Sequence, residues 1–193
     1  MVIAERSRSH SDGGSTVLSA TELRAAVDEV ADPEIPNVSI VELGMIGTIE
    51  ADGDRIRVEL LPTFVGCPAL EVIRDAIGRR LAADPREVRV DVSFATPWTS
   101  DRITASGREK LRRSGFAPLP PVRSGRALPM LGLASPAIPP APAEGEEFDE
   151  PVVPCPLCGS ARTTLESPFG PTQCRMIWHC ADCRQPFEAF KPI

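Results

Sequence analysis

Residues 55–81 read Arg-Ile-Arg-Val-Glu-Leu, then Leu-Pro-Thr-Phe-Val-Gly-Cys-Pro, then Ala-Leu-Glu-Val-Ile-Arg-Asp-Ala-Ile-Gly-Arg-Arg-Leu. Ile56, Val58 and Leu60 alternate with Arg55, Arg57 and Glu59, the period of a strand with one buried face. Leu70, Ile73, Ile77 and Leu81 recur every three to four residues, which is one side of a helix of about four turns. The loop between them, Thr63 to Pro68, holds the one cysteine outside the C-terminal tail. Pro68 directly after Cys67 predicts Cys67 at the helix N-cap and Pro68 at the first helical position. Free N–H groups and the helix dipole at such a site favour the thiolate, the form that binds metal or attacks an electrophile. The alternative is a small buried apolar residue at a helix start.

Working outward, Ser19-Ala20-Thr21-Glu22 matches a capping box, and Leu23, Ala26, Val27 and Val30 continue as one helical face. Asp32-Pro33-Glu34-Ile35-Pro36 must end that helix and forms a stiff loop with two carboxylates. Ile46 to Ala51 reads as a strand that turns at Asp52-Gly53 into the strand at 56–60, giving a hairpin. Asp84-Pro85 stops the long helix, and Val88, Val90, Val92 and Phe94 alternate as a third strand. Pro97 to Asp101 reads as a loop, and Ile103 to about Arg113 as a short charged helix stopped by Gly115. The order α-β-β-α-β-α predicts an α+β fold over residues 17–116, a small two-layer domain with helices on one face of a three-stranded sheet. Residues 1–16 are polar and Gly/Ser-rich and read as disordered. Residues 117–152 carry recurring prolines without periodicity and read as an extended Pro-rich linker.

Residues 153–193 hold the strongest chemical signal. Cys155-x-x-Cys158 and Cys180-x-x-Cys183 put two pairs of sulfurs on tight turns, the ligand set of a tetrahedral thiolate site. Gly159 suits the first turn, where a positive φ lets N–H groups reach the sulfurs. So small a segment has too little core to fold alone, and structural zinc is the metal that best suits closed four-sulfur ligation, ahead of iron. Cys174 and His179 complicate the count, since either could substitute as a ligand and the set could hold an iron–sulfur cluster. Cys174 is open between buried packing and a redox or second-metal role. Trp178, Phe187 and Phe190 are expected to build the core of the ribbon.

Composition narrows the function classes. A net charge of −6 gives no general affinity for nucleic acids or anionic membranes, and the ribbon itself has only four basic residues against three acidic ones. No signal-peptide core or membrane-length apolar run is present, which predicts a soluble cytoplasmic protein in which cysteines serve as ligands or reactive thiols. Catalysis finds no support: there are no E-x-x-H pairs for di-iron, no G-x-G-x-x-G after a strand, and only two histidines.

Asp32-Pro33-Glu34-Ile35-Pro36, Leu43-Gly44 and Thr63-x-x-Gly66-Cys67-Pro68 make residues 19–116 resemble the MIP18 (DUF59) family, whose members mostly serve iron–sulfur cluster assembly. Pro97 to Asp101, Gly107-Arg108-Glu109-Lys110-Leu111, Phe169 to Cys174, Pro186 to Lys191 and the four-Cys ribbon add a closer likeness. Over nearly its whole folded length the chain resembles the D subunits of the phenylacetyl-CoA epoxidase system (PaaD). It departs from them in Glu42, where an aspartate is usual, and in the long linker opened by Ala117-Pro118-Leu119-Pro120. The resemblance implies a part in phenylacetate degradation, where a di-iron oxygenase and a flavin/iron–sulfur reductase epoxidise the ring of phenylacetyl-CoA. It implies a non-catalytic accessory component that assists iron–sulfur or iron centre assembly in a partner, above all in the reductase. On that reading Cys67 is a transient ligand for iron or a cluster, bordered by Asp32, Glu34 and Thr63, although plain loop structure also accounts for the two carboxylates. Trp98 is open between core and docking surface, and a single reactive thiol would make a homodimer convenient. The competing reading is a structural component that docks oxygenase to reductase without metal transfer.

Overall fold

A computed structural model of the chain describes residues 17–117 and 152–191. The disorder expected of residues 1–16 and the extended linker expected over 118–151 lie outside the described residues.

Helix α1 (Ala20–Asp28) begins at the capping box. The Ser19 hydroxyl accepts from the Glu22 N–H at 3.3 Å and the Glu22 carboxylate accepts from the Ser19 N–H at 2.8 Å. Its apolar stripe of Leu23, Ala26 and Val27 is buried. Strands β1 (Ile46–Asp52) and β2 (Arg55–Leu60) form the expected antiparallel hairpin, turning through Gly53 at φ 54°. Helix α2 (Leu70–Leu81) then carries the chain back, so that β3 (Glu87–Val92) lies parallel to β2. Parallel neighbours need such a crossover. In the resulting sheet, ordered β1-β2-β3, Ile56, Val58 and Leu60 are fully buried while Arg55 and Arg57 stay exposed. Helices α1 and α2 therefore cover one face and leave the other to charged pairs such as Arg57–Asp91 at 3.7 Å. Exposed pairs of that kind contribute little to stability.

Two polar clamps tie the first layer together. Asp84, buried after α2, accepts from the Leu18 N–H at 2.8 Å and from Arg86 Nη2 at 2.7 Å, and that nitrogen also reaches the Leu18 carbonyl. The Arg86 guanidinium holds the Asp84 carboxyl far below the usual carboxylate range. Glu42 accepts from the Ser39 N–H at 3.0 Å, from Ser106 Oγ at 2.6 Å and from Lys110 Nζ at 2.8 Å. It thereby fastens the segment before β1 to helix α3 (Ala105–Arg113), which starts after the Thr104 cap and leaves Ile103 buried ahead of it.

Gly44 beside this clamp is irreplaceable for a steric reason. Its φ is 69°, and a Cβ there would stand 2.4 Å from the Arg102 carbonyl oxygen. Gly44→Ala combines left-handed strain with a backbone collision, so a loss of about 3 kcal/mol or more is expected in urea unfolding.

The ribbon is not a separate bead. Phe116–Ala117, the first of which ends the domain read from sequence and the second of which opens the linker, form strand β4. It pairs in parallel with β7 (Pro186–Phe190), giving a four-stranded sheet ordered β4-β7-β6-β5 with β5 at Thr163–Ser167 and β6 at Arg175–Cys180. Ala117 is therefore sheet, not linker. Phe190 packs edge-on against Trp98 at 5.8 Å between centroids and tilts over Phe116 at 5.5 Å. Trp98 is 2% exposed and donates its indole N–H to the Leu43 carbonyl at 2.8 Å, so it is core. Phe190 thus serves a core shared with the N-terminal domain, while Trp178 and Phe187 are buried within the ribbon sheet.

Candidate functional site

The two cysteine turns of the ribbon are near copies of one another. In the first, the Gly159 N–H donates to the Cys155 carbonyl at 2.9 Å and the Cys155 N–H to the Ser160 carbonyl at 2.9 Å. In the second, Arg184 donates to Cys180 at 2.9 Å and Cys180 to Gln185 at 3.1 Å. Both turns close through a positive φ, 76° at Gly159 as expected and 58° at Arg184, the one non-glycine residue in that region among those described. Their four sulfurs lie within 4.8 Å of one another, with Cys155–Cys183 at 3.7 Å and Cys158–Cys180 at 3.6 Å. Sulfurs about 2.3 Å from a central zinc form a tetrahedron with edges of about 3.8 Å, so the residues fit that ion.

Electrostatics also ask for a cation there. The Cys180 thiol falls to about 7, chiefly because its sulfur accepts from the Cys183 N–H, while the Cys183 thiol, although the Gln185 N–H lowers it, is pushed up to about 12 by burial and by its sulfur neighbours. Four thiolates so close together are not stable without positive charge between them. His179 sits on β6 opposite Thr164 and is outside this group, as is Cys174.

The Cys67 loop departs from the expected geometry. Helix α2 begins at Leu70 with Ala69 as its cap, so Cys67 is not the N-cap and Pro68 not the first helical residue. Two consecutive turns hold the chain back: Cys67 N–H donates to Phe64 at 3.2 Å and Leu70 N–H to Cys67 at 3.4 Å. The helical ladder starts with Ile73 N–H to Ala69 at 2.9 Å. The expected depression of the thiol is likewise reversed. Burial raises it and outweighs one N–H from Ala69, and the neighbouring Cys174 thiol and the Glu34 and Asp32 carboxylates add to the rise. Cys67 is half-buried, a free thiol in surroundings of its own sign.

Those surroundings come from both modules. Asp32 Oδ1 accepts from the Glu34 and Ile35 N–H groups at 2.9 and 3.0 Å, the turn-capping role that also accounted for it from sequence. Burial raises its carboxyl despite these bonds. Glu34 is not simply solvated: it pairs with Arg175 of the ribbon at 3.0 Å. Thr63 is 5% exposed at the base of the loop. Arg175 is the residue that the sequence did not announce. It bridges Glu34 and Glu188, each at 3.0 Å, lies 4.7 Å from the Phe116 ring centroid, and keeps Nε buried without a partner. Cys174 is 8% exposed and contacts Thr172 Oγ1 at 3.2 Å. Val65 and Phe169 stand out into solvent at 74% and 76% exposure, one in each loop.

With this geometry in place, comparison with known proteins is informative. Residues 20–94 match a family described as an iron-sulfur cluster assembly protein, and residues 139–191 match the PaaD zinc beta ribbon domain. A relative from Escherichia coli (strain K12), named as the putative D subunit of 1,2-phenylacetyl-CoA epoxidase, is 33% identical over 173 residues, covering 89% of this chain and 92% of the relative. Among solved structures, a domain of unknown function DUF59 from Bacillus anthracis is 25% identical with a TM-score of 0.42, over 48% of this chain and 90% of that one. A conserved hypothetical protein from Thermotoga maritima is 24% identical with a TM-score of 0.43, over 49% of this chain and 95% of that one.

Proposed function

Because the chain belongs to the family of 1,2-phenylacetyl-CoA epoxidase D subunits, we propose that it is a non-catalytic accessory component that helps assemble an iron–sulfur or iron centre in a partner. The single observation that carries this reading is Cys67, a half-buried free thiol set among Asp32, Glu34 and Cys174 in a domain of the iron–sulfur assembly type. Iron is cargo here and not a resident cofactor. Cys155, Cys158, Cys180 and Cys183 would hold a structural zinc whose work is to fold the ribbon. The partners are the other epoxidase components, the reductase foremost, and the setting is the cytoplasm; no helix among the described residues is long and apolar enough to cross a membrane.

Chemically, a transfer ligand must bind iron and then let it go. A thiol opposed by nearby negative charge is protonated when idle and ionises only as a cation arrives, which suits an exchangeable site. The exposed Val65 and Phe169 favour a second reading, a component that docks oxygenase to reductase without moving metal.

Co-expression of the epoxidase components with the wild type or with Cys67→Ser separates the two. Under the assembly reading the variant folds and keeps its zinc, while the purified reductase loses most of its iron and acid-labile sulfide. A fully loaded reductase would leave only the docking role.

A further inference from the structure

We propose that Cys67 and Cys174 together form a two-thiol site for thiophilic iron, shared between the N-terminal domain and the ribbon and complete only when the two are docked. The inference rests on the reading of Cys67 as a metal-handling thiol, and extends it to a residue of the ribbon.

Residues on either side of Cys174 touch the segments that surround Cys67. Gln173 Oε1 lies 3.4 Å from where a Cβ on Gly66 would stand, one residue before Cys67. Arg175 Nη2 reaches Glu34 at 3.0 Å. The Cys174 carbonyl accepts from the Lys191 N–H at 2.8 Å, and the ammonium of that lysine lies 6.0 Å from the Phe64 ring centroid and 5.3 Å from that of Phe169. Cys174 is thus held at the seam between the modules, and both thiols belong to or pack against one continuous core.

The donor set fits soft or borderline metal ions. Two thiols release two protons to water and form two Fe–S bonds to one ferrous ion, with no change of oxidation state. No third Cys, His or carboxylate oxygen joins them as tightly as in the ribbon, whose four sulfurs are the one such group among the described residues. The remaining positions on iron are then open to water, sulfide or the ligands of a partner. An open site suits cargo, where the closed four-sulfur site suits structure. Arg175, next to Cys174 in the chain and 7% exposed, ties this side of the ribbon to Glu34, whose charge acts on Cys67.

The test uses the full chain with its ribbon loaded with zinc, which the closed tetrahedral four-sulfur site retains because Zn2+ has no competing geometric preference. Anaerobic titration with Co2+ should give a thiolate-to-cobalt charge-transfer band in the wild type. Cys67→Ser and Cys174→Ala should each weaken cobalt binding at least tenfold and remove the band, with zinc content and the urea midpoint reporting that the fold is kept; Cys174→Val serves if alanine leaves a damaging void. Parallel loading with Fe2+ alone or Fe2+ plus sulfide distinguishes an iron ion from a cluster by whether sulfide is retained on desalting. A wild-type response from folded Cys174→Ala overturns the shared site. If Cys67→Ser alone abolishes the band, the assembly reading stands with a single thiol. A wild type that gives no thiolate band and retains no iron in either arm also overturns the site, and the reductase-loading experiment then judges the assembly reading by itself.

Discussion

Stripping the metal with a strong chelator, or replacing Cys180 with Ser, is expected to unfold the ribbon and expose both tryptophans of the chain. Residues 152–191 are a piece too small to hold itself together by burial, and structural zinc in comparable modules is worth roughly 10–16 kcal/mol of folding free energy. Val153, Met176, Trp178, Phe187 and Phe190 are buried, and releasing the two cysteine turns is expected to expose them. Trp98 follows because Phe190, its edge-on neighbour at 5.8 Å, leaves with β7. Intrinsic fluorescence should shift to the red on chelation and recover on adding zinc. The sharper measurement uses Trp178→Phe, in which the signal comes from Trp98 alone and reports undocking of the ribbon from the N-terminal domain. An unchanged Trp98 spectrum in the metal-free protein would show that the shared aromatic core persists without the ribbon's fold.

The second large effect is expected at Arg175. Its guanidinium is buried and serves two carboxylates at once, Glu34 of the N-terminal domain and Glu188 of β7, each at 3.0 Å, while lying over Phe116 at 4.7 Å. Arg175→Met leaves both carboxylates, which are 27% and 29% exposed, without a counter-charge. Breaking such a pair from one side costs about 3 kcal/mol, the low end of the range because the glutamates keep some contact with water. Lysine should not rescue it, since one ammonium cannot reproduce a planar fork that bonds in two directions. Urea unfolding of Arg175→Met, Glu34→Gln and the pair should be clearly non-additive. An Arg175→Met midpoint equal to wild type would remove the arginine from the docking of the two modules.

What was legible in the sequence is what depends on short spacing. Ser19 and Glu22 cap a helix three residues apart, β2 and α2 declare themselves by period, and the C-x-x-C pairs by interval. What was hidden depends on how the chain returns. Arg175 and Glu34 are separated by 141 positions, and no local pattern joins them. Cys174 acquires a definite place only where the ribbon meets the Gly66 loop. The two residues of β4 are too few to show any period, and they owe their strand geometry to β7. The difference at Cys67 has another origin. Proline after cysteine is a fair sign of a helix start, but two linked turns postpone the helix to Leu70 and leave the sulfur only one N–H, that of the Ala69 cap. Burial and the carboxylates of the 32–34 loop then decide the thiol's behaviour, and neither can be read from the hexapeptide.

The pairing of Ala117 with Ala189 has a topological consequence. The Val153 carbonyl receives the Thr163 hydroxyl at 2.7 Å, so Ala117 and Val153 both belong to one folded body. The ribbon is then positioned by its own contacts, the β4–β7 pairing and the Arg175–Glu34 pair. Two fragments made separately, one ending at Ala117 and one starting at Val152, should therefore co-purify.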